Sequence, residues 1–253
     1  MTLLGRPIWY ELVTTDVAAA EKFYNAVVGW RSQAMEGGAM PYTRFMRAGD
    51  KASAGAMAIP PGMNFPPHWA MYVGTPDVDA TIAHVERLGG KTLSPPIDVP
   101  GVGRGRVMLD PQDAMFALWQ PAMEGEPPAR PEVGQASWHE LYTTDDAAAL
   151  RFYDELFGWK EMESFDMGPM GTYHIIGRLH PHGGIMKKTK EMESMPSMWN
   201  IYFRVDQVDA AAERVKANGG TVMNGPMDVP GGDRVLIAVD PQGAAFALHE
   251  MRT

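Results

Sequence analysis

The chain has 253 residues, 45% of them hydrophobic, so it can bury substantial cores and does not have the composition of a disordered protein. Its formal net charge of −9 argues against nucleic-acid binding, and its lack of cysteine excludes disulfides, thiol catalysis and thiolate metal sites. No window approaches the ~18 uninterrupted apolar residues of a membrane span, and no signal pattern opens the chain. We therefore expect a cytoplasmic protein without nucleic-acid or membrane partners.

The first predicted elements are a strand over Trp9–Val13 and the amphipathic helix that follows it. Asp16 suits the N-cap of that helix, and Gly29 suits the left-handed residue after its end. The apolar residues between them recur at helical spacing and predict one buried stripe, which consists of Ala20, Phe23, Tyr24, Val27 and Val28. A second strand, His68–Val73, precedes a second helical stripe formed by Val78, Ile82 and Val85.

The same pattern then returns in the second part of the chain. Residues 9–30 and 138–159 are identical at 13 of 22 positions, with a constant offset of 129. Later matches continue at an offset of 130, from Asp110-Pro111-Gln112 to Asp240-Pro241-Gln242. Predicted strands at Trp138–Tyr142 and Trp199–Val205 again precede helices. An internal repeat of this length indicates a duplicated domain.

The repeat predicts an α+β fold with two domains. Each copy contains two units of βαβββ pattern, which gives four such units in the chain. We predict a first domain over residues 1–120, a linker over 121–136 and a second domain over 137–253. The linker prediction depends on Pro121, Pro127, Pro128 and Pro131, because proline fixes φ and removes a backbone donor.

Three motifs recur in both copies: a strand that ends in a Thr-x-Asp-like turn, a helix that ends in FYxxxxGW, and a late DPxxxxFxL strand. Together they resemble the vicinal-oxygen-chelate superfamily, which includes glyoxalase I, bleomycin resistance proteins and extradiol dioxygenases. The resemblance implies paired βαβββ units that form cup-shaped mixed sheets, with the chemistry inside each cup. The chain resembles tandem, two-domain glyoxalase-like proteins in particular.

The resemblance implies metal ligands at three places in each copy. Here these places hold Trp9, His68 and Ala117 in copy 1, and Trp138, Asn200 and Ala247 in copy 2. Only His68 is a ligand of the family type, and a single imidazole does not hold a catalytic divalent ion. We therefore expect no cofactor, with a divalent metal as the alternative.

Strand alternation indicates which side chains share the face of these positions. Glu11 and Glu140 follow the two tryptophans by two residues, and we predict them to be general bases. The other predicted pocket residues, expected to bind substrate, are Trp9, His68, Tyr72, Trp119, Trp138, Asn200, Tyr202, Arg204 and His249. If cups combine strands from both halves, His68 could meet Glu140, and Glu11 could meet His249.

Structural roles compete with these assignments. Glu11 and Glu140 could be hydrogen-bonded struts, since a buried carboxylate needs partners in either case. Arg104 and Arg234 recur in matched turns, and we expect them to hold those turns in place. We expect His174, His180 and His182 to lie in or near loops at the surface.

The sequence thus favours a glyoxalase-like enzyme, of the lyase or hydroxylase type, that acts on an oxygenated metabolite. The alternative is a non-catalytic protein of the bleomycin-resistance type, which sequesters a small molecule or antibiotic between aromatic walls. The expected partner is a small-molecule ligand. The two halves are expected to pair within the chain, as a monomer or a homodimer.

Overall fold

The computed structural model describes residues 3–35, 40–123, 125 and 130–252. Within these ranges, copy 1 contains nine strands: β1 (Arg6–Thr14), β2 (Arg31–Met35), β3 (Tyr42–Arg47), β4 (Lys51–Ala58), β5 (His68–Gly74), β6 (Lys91–Thr92), β7 (Ile97–Val99), β8 (Gly103–Leu109) and β9 (Met115–Pro121). Its helices are α1 (Val17–Val28) and α2 (Val78–Arg87). No helix in the described part of the chain is long and apolar enough to cross a membrane.

Copy 2 repeats this order with eight strands in its described residues: β10 (Ala136–Thr143), β11 (Lys160–Asp166), β12 (Thr172–Gly177), β13 (Pro181–Lys187), β14 (Met198–Arg204), β15 (Thr221–Asp228), β16 (Arg234–Val239) and β17 (Ala245–Glu250). Its helices are α3 (Asp146–Phe157) and α4 (Val208–Ala217). The predicted α+β class and the repeated βαβββ pattern are confirmed.

Each copy forms one mixed β-sheet. The strand orders are β2-β3-β4-β1-β5-β9-β8-β6, with β7 beside β8, and β11-β12-β13-β10-β14-β17-β16-β15. In both sheets the first strand of the copy runs parallel to the fourth, and the fifth runs parallel to the last. The hairpins β3–β4, β8–β9, β12–β13 and β16–β17 are antiparallel. The two sheets are therefore equivalent strand for strand, apart from the short strand β7.

The helix ends match their sequence signals. Asp16 caps α1 by accepting a hydrogen bond from the Ala19 amide at 2.9 Å, and Asp145 caps α3 through the Ala148 amide at 2.9 Å. Gly29 and Gly158 follow these helices with positive φ angles of 86° and 71°, the region where glycine avoids a steric penalty. All five residues of the predicted α1 stripe are buried.

The described residues divide into two compact units, and each unit draws on both copies. Unit 1 takes its residues from Met1–Ile8, Met71–Pro127 and His139–Trp199. Unit 2 takes its residues from Trp9–Ala70, Pro128–Trp138 and Asn200–Thr253. Each unit thus combines a helix of copy 1 with a helix of copy 2, α2 with α3 in unit 1 and α1 with α4 in unit 2.

The core of each unit is rich in aromatic side chains. In unit 2, Phe23 and Tyr24 of α1 lie edge-on to Phe246 of β17, with ring centroids 5.7 and 5.3 Å apart. In unit 1, Phe116 of β9 makes the corresponding contact with Tyr153 of α3 at 6.0 Å. Edge-to-face packing at these separations is favourable beyond the area it buries.

A buried polar chain repeats in both cores. In unit 2 the Trp69 indole donates to the Tyr24 hydroxyl at 2.8 Å, and that hydroxyl donates to Asp240 at 3.0 Å. In unit 1, the Trp199 indole donates to the Tyr153 hydroxyl at 2.9 Å, and that hydroxyl donates to Asp110 at 3.0 Å. Each tyrosine hydroxyl is therefore satisfied by a partner from the other copy.

Candidate active site

Glu11 lies in β1 opposite a glycine of the neighbouring strand. Its ladder partner is Gly55 in β4, and Gly55 also pairs with Arg44 in β3. The Tyr42 hydroxyl is hydrogen-bonded to the Glu11 carboxylate and accepts a hydrogen bond from the Trp9 indole at 2.9 Å. Trp9, Tyr42 and Glu11 therefore form one connected polar chain on a single face of the sheet.

The missing side chain of Gly55 makes room for Tyr42. A β-carbon at position 55 would lie 1.9 Å from the Tyr42 hydroxyl oxygen, far inside van der Waals contact. Only glycine at this position lets the phenol cross β4 and reach the carboxylate on β1. We infer that close approach, not a turn, explains this glycine.

The electrostatics of this site keep the phenol protonated. Burial raises the pKa of Tyr42 well above its ordinary value, and the negative charge of Glu11 raises it further, while Arg44 opposes the shift. A neutral phenol donates to a carboxylate, so Tyr42 supplies a proton donor beside Glu11. The pair combines a base with a hydrogen-bond donor.

Copy 2 repeats the arrangement in unit 1 with one addition. Glu140 on β10 pairs with Gly184 of β13, and a β-carbon at position 184 would lie 2.1 Å from the Tyr173 hydroxyl oxygen. Glu140 is buried, and the Tyr142 hydroxyl donates to its carboxylate in a short hydrogen bond. Copy 1 has Val13 at the position of Tyr142, so the two sites are related but not identical.

Strand parity did not indicate the two tyrosines that lie over a glycine, Tyr42 and Tyr173. Their positions depend on the register of hairpins β3–β4 and β12–β13, which residue spacing alone does not determine. A signal was nevertheless present, because each copy carries a tyrosine 11 to 13 residues before a glycine that aligns with the glutamate strand.

Several predicted binding residues form aromatic surfaces within one unit. Tyr72 and Trp119 of unit 1 contact edge to face, with ring centroids 5.9 Å apart. In unit 2, Trp138 packs with Tyr202 in a cluster around Ala247. His68 is half-buried, and its Nδ1 lies 2.9 Å from the Pro66 carbonyl oxygen. Their roles in binding, and the pairing of His68 with Glu140, stay predictions.

Asn200 and Arg204 of β14 differ in whether their side chains are hydrogen-bonded to the protein. Asn200 is buried, and its Oδ1 has no hydrogen-bond partner among the described residues. Arg204 donates from Nη1 to the Pro131 carbonyl at 2.5 Å, and its backbone amide donates to Gln135. Asn200 keeps an acceptor for a ligand, whereas the guanidinium of Arg204 already binds the predicted linker.

That Glu11 meets His249 stays a prediction, and His249 is engaged by other groups. Both ring nitrogens of His249 have other partners, because Nδ1 lies 2.9 Å from the Ser137 hydroxyl and Nε2 lies 2.9 Å from Asp233. Strand parity placed Glu11 and His249 on matching faces, but it could not indicate that nearer polar groups occupy the imidazole.

The expectation that His174, His180 and His182 lie at the surface is wrong for His174 and His182. His182 lies in β13 and packs edge-on against Trp159, with ring centroids 4.6 Å apart. Burial lowers its pKa to about 3, and the neighbouring His139 contributes. His174 lies in β12, mostly buried, with Glu161 at 3.0 Å and Asp146 at 3.3 Å. Both lie in strands because β12 and β13 extend to within a few residues of the turns that we expected to contain these histidines.

The two recurring arginines each form an ion pair with an aspartate, and their expected role in holding the turns stays a prediction. Arg104 pairs with Asp79 at 3.0 Å, in the first turn of α2. Arg234 pairs with Asp209 in the first turn of α4. Each pair ties a strand to the helix of the same unit, which agrees with a structural role.

The side chains at the family's metal positions do not fit a divalent ion. Alanine at 117 and 247 offers no donor, and indole at 9 and 138 is not a ligand for such ions. No group of three or more His, Asp or Glu side chains within the described ranges is arranged to hold a metal. The proton acceptors and donors of the two sites are therefore Glu11, Glu140 and their tyrosines.

Comparison with known proteins agrees with this architecture. Residues 9–119 match the family model of the glyoxalase-like domain, and residues 135–248 match that of the glyoxalase/bleomycin resistance protein/dioxygenase superfamily. The protein named "Putative glyoxylase CFP32" from Mycobacterium tuberculosis is 34% identical, over 96% of this chain and 94% of that protein. The anthracycline biosynthesis protein DauV from Streptomyces sp. (strain C5) is 32% identical, over 98% and 94% respectively.

Solved structures share the fold at lower identity. The Mn(II)-bound glyoxalase from Novosphingobium aromaticivorans superposes with a TM-score of 0.67 at 18% identity, covering 99% of this chain and 83% of that one. The 2,3-dioxygenase LapB from Pseudomonas sp. KL28 gives a TM-score of 0.69 at 15% identity, covering 100% and 94%. With two family domains in tandem and relatives that match nearly end to end, the chain belongs to the glyoxalase/bleomycin resistance protein/dioxygenase superfamily.

Proposed function

We propose that the chain is a glyoxalase-like small-molecule enzyme of the lyase or hydroxylase type, with Glu11 and Glu140 as general bases. The observation that carries this proposal is the hydrogen bond from a tyrosine hydroxyl to each carboxylate, from Tyr42 to Glu11 and from Tyr142 to Glu140. A carboxylate held beside a neutral phenol combines the base and the donor that enolisation of a carbonyl compound requires.

The proposed reaction uses Glu11 as the proton acceptor and Tyr42 as the proton donor. Glu11 accepts a proton from the carbon beside a substrate carbonyl, and negative charge develops on the carbonyl oxygen. Once the carboxylate is protonated it attracts the Tyr42 hydroxyl less, so the phenol can donate to the enolate oxygen instead. The Trp9 indole holds the phenol oxygen in position throughout.

The substrate class is an oxygenated, aromatic small molecule. Two relatives, DauV and DnrV, are anthracycline biosynthesis proteins, and each matches over 98% of this chain. The tryptophans and tyrosines among the predicted binding residues offer flat apolar surfaces to such a molecule, and Asn200 offers an amide oxygen. The chain would act as a monomer or a homodimer.

Deuterium exchange tests this proposal without knowledge of the full reaction. We expect the protein to exchange the acidic C–H of 2-hydroxyacetophenone for deuterium in D2O, followed by NMR, faster than buffer alone. A single glutamine substitution leaves the other site intact, so the double variant Glu11→Gln/Glu140→Gln is the informative one. It should lose about 10²-fold or more of the protein-dependent rate, because glutamine cannot accept the proton.

Glu213→Gln is the matched control, since Glu213 is exposed on α4 and its ion pair among the described residues is with Lys216. Its exchange rate should equal that of the unsubstituted protein. The proposal would be refuted by exchange that survives in the folded Glu11→Gln/Glu140→Gln protein.

Binding without turnover is the second candidate function, and the alanines at the metal positions favour it. In that case hydroxylated aromatic ligands should quench tryptophan fluorescence with saturation, while no carbon-bound proton exchanges. Saturable binding with no exchange above the buffer rate would therefore select a sequestering protein over an enzyme.

A further inference from the structure

Ser137, His249 and Asp233 form a continuous hydrogen-bonded chain in unit 2. The Ser137 hydroxyl lies 2.9 Å from His249 Nδ1, and His249 Nε2 lies 2.9 Å from Asp233 Oδ2. The three residues come from the first strand of copy 2, from its last strand β17 and from the turn between β15 and β16. Distant segments of sequence thus converge on one imidazole.

The donors and acceptors fix the direction of this chain. An ionised Asp233 only accepts, so the proton of a neutral His249 resides on Nε2 and leaves Nδ1 as an acceptor. The Ser137 hydroxyl then donates to Nδ1, since its other acceptor, the Tyr202 carbonyl, is farther away at 3.3 Å. Asp233 is held in turn by the Arg252 amide at 2.8 Å.

Burial keeps this imidazole neutral. Desolvation lowers the pKa of His249, aided by the positive charge of Arg204, while Asp233 partly opposes the shift. A neutral imidazole at physiological pH is in the state that accepts a proton from serine.

Copy 1 shows that the fold does not require the hydrogen bonds of Ser137, His249 and Asp233. The repeat offsets align Ser137 with Ile8, Asp233 with Gly103 and His249 with Trp119. In copy 1 the indole fills the space, because a β-carbon at position 103 would lie 2.7 Å from Trp119 Nε1. The Trp119 indole that fills this space in copy 1 is thus replaced in copy 2 by three polar residues that are hydrogen-bonded to one another.

The surroundings suit a small apolar ligand. His249 pairs in register with Val235, which belongs to a cluster with Tyr202 and Ala247. Partly buried side chains complete that cluster, and they are Trp138, Met227, Val229 and Ile237. Ser137 and Asp233 are only partly buried. Apolar walls beside a few convergent polar groups are typical of small-molecule sites.

We propose that Ser137 is a nucleophile that hydrolyses small aryl or alkyl esters, with His249 as its general base and Asp233 as a positioning residue. This activity is separate from that proposed for Glu11 and Glu140. A serine, a base and a residue that orients the base, all within hydrogen-bond reach, are the parts that nucleophilic catalysis needs. The imidazole presents Nδ1 to the serine and Nε2 to the aspartate.

The reaction balances with water as the second substrate. The Ser137 oxygen adds to the ester carbonyl carbon while its proton passes to His249. His249 returns that proton to the leaving alcohol oxygen as the carbon–oxygen bond breaks, which leaves an acyl-serine. Water then attacks the same carbon while its proton passes to His249, and His249 gives that proton to the Ser137 oxygen as the acyl bond breaks, which releases the acid and restores the Ser137 hydroxyl.

Covalent labelling with an alkyl fluorophosphonate tests the nucleophile directly. Intact-mass and peptide mass spectrometry should show one phosphonyl group, on Ser137, in the full-length protein. The label should be absent in Ser137→Ala and should form about 10²-fold or more slowly in His249→Gln. Hydrolysis of p-nitrophenyl butyrate should fall in parallel.

Asp233 is tested by rescue. Asp233→Asn should slow labelling, and Asp233→Glu should restore part of the rate because it restores a carboxylate. Ser32→Ala is the control serine variant, because Ser32 pairs with Asn25 and not with a histidine. Labelling of the folded protein that is unaffected by Ser137→Ala or His249→Gln would overturn the proposal, as would no labelling at all. Deuterium exchange is measured on the unsubstituted protein and on the glutamate variants, so either proposal can fail without the other.

Discussion

Tyr42 occupies the space that a side chain at position 55 would need, and this single contact joins three strands. The phenol starts on β3, crosses Gly55 of β4 and ends at Glu11 of β1. The glycine thus determines which residue Glu11 meets, although it carries no functional group. Tyr173 and Gly184 reproduce the crossing in copy 2.

Gly55→Ala should disturb this contact strongly. The new methyl group would overlap the Tyr42 hydroxyl, so the ring must move and its bonds to Trp9 and Glu11 must break. We expect a loss of roughly 1–3 kcal/mol in the free energy of unfolding, measured by chemical denaturation, as for other overpacked sites.

Two further variants test whether the loss of stability comes from the overlap with Tyr42 or from replacement of a glycine in general. Gly125→Ala should be close to neutral, because no atom of the described residues outside its chain neighbours lies within 4 Å of a β-carbon there. Tyr42→Ala in the Gly55→Ala background should cost less than the two changes do separately, since it removes the overlapping ring. Gly55→Ala with unchanged stability would show that Tyr42 is not confined as described.

Parity along one strand was sufficient to select Glu11 and Glu140, whose carboxylates accept hydrogen bonds from Tyr42 and Tyr142; their role as bases stays a prediction. The same parity also places Tyr142 beside Glu140, two residues on in β10. It was insufficient for Tyr42 and the Ser137–His249–Asp233 chain. Those contacts depend on the register between strands and on side-chain reach, and neither leaves a periodic trace in the sequence.

The helices were predictable because their signals are local. An N-cap bonds the amide three residues on, so the sequence itself contains both partners. Asp16, Asp77 and Asp145 all accept this bond in the structure. Helix α4 differs, because its N-cap residue Gln207 makes no side-chain capping bond.

Gln207→Asp should therefore stabilise the protein. The aligned residue in copy 1 is Asp77, which accepts from the Ala80 amide at 3.0 Å, so the backbone there already has the required geometry. We expect a gain of about 1 kcal/mol in the free energy of unfolding, measured by urea denaturation at neutral pH.

The reciprocal change is the control. Asp77→Gln should cost a similar amount, because it removes the cap that α4 lacks. If Gln207→Asp proved neutral while Asp77→Gln destabilised, the first turn of α4 would have to be satisfied already, beyond the bond from the Val208 amide to Glu250.

On the scale of the whole molecule, the repeat predicted two equivalent sheets but not the composition of the compact units. Each unit uses one helix from each copy, and the tyrosine–aspartate bonds that close its core join the two copies. A sequence repeat states that two segments are alike. It does not state whether a helix packs within its own copy or against the other one.

This composition predicts that neither copy folds alone. Without copy 2, helix α1 loses the contacts of Phe23 and Tyr24 with Phe246, the bond from Tyr24 to Asp240 and that from Arg214 to the Val27 carbonyl. Without copy 1, α3 loses Phe116 and Asp110. Exposure of each large aromatic side chain costs about 1.5–3 kcal/mol, and a domain is stable by only ~5–15 kcal/mol.

The experiment expresses residues 1–123 and 130–253 separately and together. Each fragment alone should lack the dispersed amide spectrum of a folded protein in a ¹H–¹⁵N correlation experiment. The mixture should recover that spectrum as a one-to-one complex, because the two units can form only when both copies are present. If residues 1–123 gave a dispersed, cooperatively unfolding species without residues 130–253, the copies would be autonomous domains, and contacts between them would not be needed to complete each core.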